Sequence, residues 1–262
     1  MLGGQFLMGG QRLLHAIGGF GGTIGIVIVV HGGRAEGREP TSPVQLSVLR
    51  MRPVARAIRH ALRGSQVVIY RPRLRLRGWN GDDAAPVGDL TDLLDQAARD
   101  FGSLPVVLVG HSMGARAALR VAGHPMVTAV AGLASWLPPE EPVSQLAGRR
   151  VLLVHGSADR VCSAAQTWAY AERARAVGPL AAIEIRDGDH AMLHRARLWH
   201  RIAGEFTRLA LGLPAGRGGP AAGGGPLPGG RGAVADAFGR AAAGPKADAF
   251  ARAAAGPGRT VL

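Results

Sequence analysis

Val106-Val107-Leu108-Val109-Gly110-His111-Ser112-Met113-Gly114-Ala115-Arg116-Ala117-Ala118-Leu119 reads as a buried strand, a sharp turn and a helix within fourteen residues. Four branched apolar residues in succession suit the centre of a parallel sheet, where both faces of a strand are covered. The Ala-rich segment after the turn is a good helix former. Ser112 falls at the bend, and Gly110 and Gly114 complete the pattern G-x-S-x-G around it. A serine held in a strained strand-to-helix turn needs small neighbours two residues away on each side.

Working outward, further apolar runs repeat the strand signal at Ile24–Val30, Val67–Tyr70, Val127–Ala134, Val151–His155 and Ala181–Ile185. Helical periodicity marks Val48–Arg63, Asp89–Phe101 and Leu198–Leu211, with another helix expected from Ser163. Pro53 is expected close to a helix start, where its missing N–H costs nothing. Strands alternating with helices predict an α/β fold, a doubly wound and mostly parallel sheet of about six strands. Its loops at the strands' carboxyl ends are the expected place for chemistry.

The chain holds 40 glycines in 262 residues, so G-x-S-x-G arises readily by chance and its surroundings must carry it. Those surroundings include an acid and a histidine at later strand ends, in the order Ser112, Asp159, His190. Here the sequence resembles the α/β-hydrolase superfamily, and within it the small, lidless, dienelactone-hydrolase-like serine esterases. The resemblance spans Ile24 to Leu211. It implies a reduced fold without a cap domain, since only sixteen residues separate the Val127 strand from the next.

It also implies roles. Ser112 is the nucleophile, His190 the general base and Asp159 the acid that orients it, with Glu140 or Glu141 the next candidates for that acid. The backbone N–H groups of Gly33, in His31-Gly32-Gly33, and of Met113 form the oxyanion hole. Trp79, Trp136 and Arg77 are candidate substrate-binding residues, although Trp79 also suits a core cap and Arg77-Gly78 resembles a structural turn of the family. His31, His111, His124 and His155 are expected to be structural, with His111 beside the site. His190 and His194 lack a third ligand, so no metal is expected, and the chemistry calls for no cofactor. The implied reaction is hydrolysis of carboxylic esters of small or openly accessible substrates through an acyl-enzyme. The same residues also suit thioesters, amides or acyl transfer, and an idle fold binding anionic surfaces is the alternative from another class.

Composition sets the frame. One catalytic domain is expected over residues 23–211, between a poorly ordered glycine-rich leader, 1–22, and a disordered Gly/Ala/Pro-rich tail, 212–262. The tail repeats Ala-Asp-Ala-Phe from Ala235 at Ala247. The uncharged run between His15 and His31 is fifteen residues, too short for a membrane span. Cys162, the sole cysteine, excludes an internal disulfide, fits a cytoplasmic location and is expected to be structural. A formal charge of +13 attracts anions without a motif for specific nucleic-acid recognition. The expected partner is a small-molecule acyl substrate, and the sequence leaves monomer and dimer open. Arg52, Arg56, Arg59 and Arg63 form a stripe on one helix face, expected to be solvated.

Overall fold

Six of the apolar runs pair edge to edge in one direction, as strands buried on both faces do. The computed structural model describes residues 22–214 and 259–262, with the backbone of 7–8 and 11–12. Two short strands, β1 (Leu7–Met8) and β2 (Gln11–Arg12), form an antiparallel pair apart from the main sheet. The main sheet comprises β3 (Gly25–Val30), β4 (Val67–Tyr70), β5 (Val106–His111), β6 (Val127–Leu133), β7 (Arg150–Gly156), β8 (Leu180–Ile185) and β9 (Thr260–Val261). Their order is β4-β3-β5-β6-β7-β8-β9, and every pairing is parallel.

Five helices cover the two faces: α1 (Leu46–Ala61), α2 (Ala85–Phe101), α3 (Met113–Arg120), α4 (Ala164–Arg175) and α5 (Ala196–Ala210). Alternation sorts the core. Ile26, Ile28, Val30, Val106 and Leu108 face α2, α3 and α4, whereas Val27, Val29, Val107 and Val109 face α1 and α5. The chain leaves β3 for β4 on one side and returns to β5 on the other, so the order reverses between β3 and β5. Loops after these two strands therefore lie side by side at the carboxyl edge, the usual position for a ligand crevice.

Three expectations change. The sheet has seven strands among the described residues rather than about six, because β9 pairs with β8 through Ile183–Thr260 and Glu184–Val261. Two residues carry no periodic signal, so this strand cannot be seen in the sequence. The expected tail consequently ends in a paired strand, while 215–258, including both copies of the repeat, lies outside the described residues. Most of the leader lies outside them too. Finally, α1 begins at Leu46, placing Pro53 in its interior. The missing N–H forfeits one bond of the helix, whose buried side, Met51, Val54, Ala55 and Ile58, compensates by packing. No helix among the described residues is long and apolar enough to cross a membrane.

Trp199 on α5 is fully buried. Replacing it with alanine should cost about 3–5 kcal/mol in denaturant unfolding. A loss under about 1 kcal/mol would mean that α5 does not pack on the sheet as described.

Candidate active site

Ser112 follows β5 directly with φ 54° and ψ −121°, a conformation that costs a non-glycine residue about 1–3 kcal/mol. The turn is held by four backbone bonds: Ser112 N–H to Leu133 O at 3.0 Å, and Ala115, Arg116 and Trp136 N–H to Ser112 O at 3.0, 3.2 and 3.4 Å. A Cβ on Gly110 would lie 2.5 Å from Ala115 Cα, and one on Gly114 would overlap the His31 carbonyl. Both glycines of the pattern are thus demanded by close backbone approach.

The β3 loop rests on the same helix start. A Cβ on Gly33 would collide with the Arg77 carbonyl and lie 2.6 Å from Met113 Sδ. Arg34 N–H is taken by Arg77 O at 2.9 Å, whereas the N–H groups of Gly33 and Met113 have no hydrogen-bond partner among the described residues. His31 Nε2 accepts from Leu74 N–H at 3.1 Å, which leaves Nδ1–H to donate to Gly32 O at 2.7 Å. Burial lowers this ring's pKa and favours its neutral form.

The loops after β7 and β8 meet backbone to backbone, because a Cβ on Gly156 would overlap Gly188. Ala158 N–H donates to Gly188 O at 3.0 Å and Asp187 N–H to Ser157 Oγ at 2.8 Å. This contact brings Asp159 Oδ2 to 2.8 Å from His190 Nδ1. Asp159 is wholly buried at its side chain. It accepts further bonds from Val161 N–H and Cys162 N–H at 2.8 and 2.9 Å, and His155 Nε2–H lies between Cys162 O at 3.2 Å and the Asp159 carboxylate at 3.1 Å. Burial opposes its charge, but hydrogen bonds from His155, His190 and the two backbone N–H groups outweigh that and hold the carboxyl well below the usual range.

Cys162 lies near both Ser112 and His190. Ser112 Oγ is 3.9 Å from its Sγ, and the same side chain is close enough to His190 to help raise its pKa. The direct Ser112–His190 hydrogen bond that the resemblance implies is absent among the described residues. Burial pulls the His190 pKa down, yet the bonds to Asp159 and Cys162 prevail and it is pushed up to about 9.

No family model and no curated protein matches the sequence. The esterase domain of a Rhodothermus marinus protein superposes with a TM-score of 0.52 at 17% identity, over 75% of this chain and 91% of that one. Est1E from Butyrivibrio proteoclasticus gives 0.55 at 14% identity, over 73% and 90%. An alpha-beta serine hydrolase homologue from Coxiella burnetii gives 0.56 at 17% identity, over 78% and 96%. This is the α/β-hydrolase fold.

Within that fold, one of the substrate-binding candidates turns inward and another is held at the surface. Trp79 is 3% exposed and lies under the Arg116 guanidinium at 3.8 Å from the ring centroid, so it caps the core and lines no pocket mouth. Arg77 reaches Pro40 O at 3.2 Å, and its carbonyl supports the Gly33 loop. Trp136 is half-buried beside Ser112 and 4.6 Å from the Arg116 guanidinium. The reserve acid Glu141 is buried against Arg116 and Arg120, away from His190. Among the described residues no group of three or more His, Cys, Asp or Glu side chains could hold a metal ion.

Sequence reasoning gave two contributors, His155 and Cys162, no part in the site and placed His111 only beside it. His155, expected to be merely structural, holds its Nε2–H between Cys162 O and Asp159 while its Nδ1 accepts from Thr167 Oγ1 at 2.8 Å. His111 donates from Nε2 to the His190 carbonyl at 2.9 Å, tethering the base's loop to the elbow. Burial and the facing His190 push the His111 pKa down to about 3, so it tethers as a neutral ring. For Cys162, its place three residues after Asp159 in the chain was the available signal.

His190 should therefore remain imidazolium at pH 7.5 and titrate near 9 by nitrogen-resolved NMR. Its folded value exceeds the unfolded 6.5, so its contribution to stability is complete below 6.5 and fades as pH rises to about 9. Asp159→Asn should bring the midpoint down towards or below the ordinary value. A wild-type midpoint near 6.5 would contradict the hydrogen bonds described.

Proposed function

We propose that this chain is a serine hydrolase cleaving carboxylic esters of small or openly accessible substrates. The observation that carries this reading is the Asp159–His190 pair at 2.8 Å, with the strained Ser112 and His190 both near Cys162. His190 Nε2 takes the Ser112 proton as Oγ attacks the ester carbonyl, and the N–H groups of Gly33 and Met113 receive the oxyanion. Collapse expels the alcohol, protonated by His190, and leaves an acyl-serine. Water, activated by the same ring, releases the acid and restores the hydroxyl. Asp159 stays ionised and stabilises the imidazolium. Substrate entry brings hydroxyl and imidazole together, a tightening common on going from free to bound enzymes.

Open access supports the substrate class. The β6–β7 connection, 134–149, is too short for an inserted domain. Val161 and Leu193, each 73% exposed, follow the acid and the base in the chain and offer an apolar rim for an acyl group. The names of the esterase-fold neighbours agree with it. A second reading takes Cys162 as the nucleophile, because its thiol lies near the base.

Fluorophosphonate labelling separates these readings. Modification should fall on Ser112, and Ser112→Ala or His190→Ala should abolish it and lower kcat/KM on p-nitrophenyl acetate by about 10³-fold or more. Cys162→Ala should keep both labelling and turnover. An active Ser112→Ala together with an inactive, iodoacetamide-sensitive Cys162 would establish the thiol reading. No labelling at all, with salt-sensitive binding to nucleic acid or anionic vesicles, would refute both.

The rate should rise with pH through an ascending limb near 9, as the base must be unprotonated. Across p-nitrophenyl esters, short acyl chains should be preferred, and a strong long-chain preference would contradict the small open site.

A further inference from the structure

Between Glu39 and Asp82 the chain carries nine arginines and no Asp or Glu. The stripe on α1 belongs to this stretch, and its four arginines are exposed, as expected of a solvated face. Arg56, Arg59 and Arg63 line a cleft of about 440 Å³ between the end of α1 and the start of β4, with Leu62, Val67 and Ile69 forming its apolar side. That volume lies in the range of small-molecule sites, about 300–1,000 Å³. β4 is the sheet's edge strand, which keeps the cleft open on one side.

Among the described residues none of these three arginines pairs with a carboxylate. Arg63 instead donates to His60 Nδ1 at 2.8 Å, which requires that nitrogen to be unprotonated. Arg71 adds to the crowding, since burial and the facing Arg52 and Arg56 lower its pKa. Like charges held together without counter-charges favour any anion that enters. α1 runs against the strands, so its last turn lies at their amino ends, opposite Ser112.

We propose that this cleft binds the phosphate group of a small, soluble organic phosphate. Arg56, Arg59 and Arg63 hold the phosphate oxygens, and Leu62, Val67 and Ile69 meet the organic body. A tetrahedral dianion presents enough oxygens for three guanidinium groups at once, whereas a carboxylate is satisfied by one bidentate pair.

The test is titration calorimetry on the full chain at low ionic strength with phenyl phosphate, inorganic phosphate and phosphatidate vesicles as probes. One phenyl phosphate should bind per chain, several-fold more tightly than inorganic phosphate. The variant Arg56→Gln/Arg59→Gln/Arg63→Gln should weaken it by about tenfold or more. The control Arg99→Gln/Arg197→Gln/Arg201→Gln removes the same charge at other exposed sites and should keep wild-type affinity. Circular dichroism and unchanged Ser112 labelling verify that both variants fold. Equal weakening in the two variants would assign binding to the diffuse positive field and overturn the proposal. So would unsaturable binding, or binding to the vesicles without the soluble probes.

Discussion

Backbone meeting backbone, with no side chain between, is the constraint on which the rest of this molecule depends. Two such contacts at the carboxyl edge of the sheet join loops from different strands. Gly114 lies against the His31 carbonyl, and Gly156 lies against Gly188. The first contact seats the β3 loop on the start of α3, so the free N–H groups of Gly33 and Met113 arise from one packing event. The second joins the loops after β7 and β8, so Asp159 and His190 are neighbours although 31 residues apart in sequence. Methyl-sized additions at these points would separate the loops before altering any polar group, because interiors close-packed to this degree transmit strain.

Upon this frame the electrostatics are built around one carboxylate. Asp159 has lost water entirely, and such a charge is tolerable only when its lone pairs are occupied. His190, His155 and two backbone N–H groups occupy them. The result is a fixed negative centre that favours a protonated His190 and is itself fixed by Thr167 through His155. His111 gives the opposite case, a buried ring kept neutral that serves only to tether the base's loop by one hydrogen bond. Two histidines with pKa values driven apart by their surroundings, about 9 and about 3, therefore stand side by side, with ring centroids 4.9 Å apart.

Much of this was legible before coordinates, for physical reasons. Parallel strands buried on both faces write themselves as unbroken runs such as Val106–Val109, and a strained serine writes itself as flanking glycines. The acid and base loops could be placed because each directly follows such a run. What could not be read depends on three-dimensional neighbours. Thr260–Val261 is too short to show a period, and its pairing is decided by the free edge of β8. Pro53 is accommodated within α1 by the packing of Met51, Val54 and Ile58, a tertiary effect that local propensity does not contain. Trp79 suited a pocket mouth and a core cap alike, and what decides for the cap is Arg116, held by the buried Glu141, closing over it. Cys162 gave only its closeness to Asp159 in the chain, since a single cysteine is as common in cores as in sites.

Helix α1 connects the two ends of the molecule and couples them only weakly. Arg50 near its start is close enough to lower the His111 pKa, whereas Arg63 lies just beyond its end. Thirteen residues of helix between these positions span about 20 Å, and the Debye length at physiological salt is about 8 Å. The charge of Arg63 is thus largely screened before it reaches the neighbourhood of Arg50, whereas Arg56 stands about 9 Å from Arg50 along the helix, near one Debye length. An anion seated among Arg56, Arg59 and Arg63 would consequently act on the His190–Asp159 pair chiefly through its nearest arginine, which makes occupancy of the cleft and chemistry at Ser112 weakly coupled properties of one sheet.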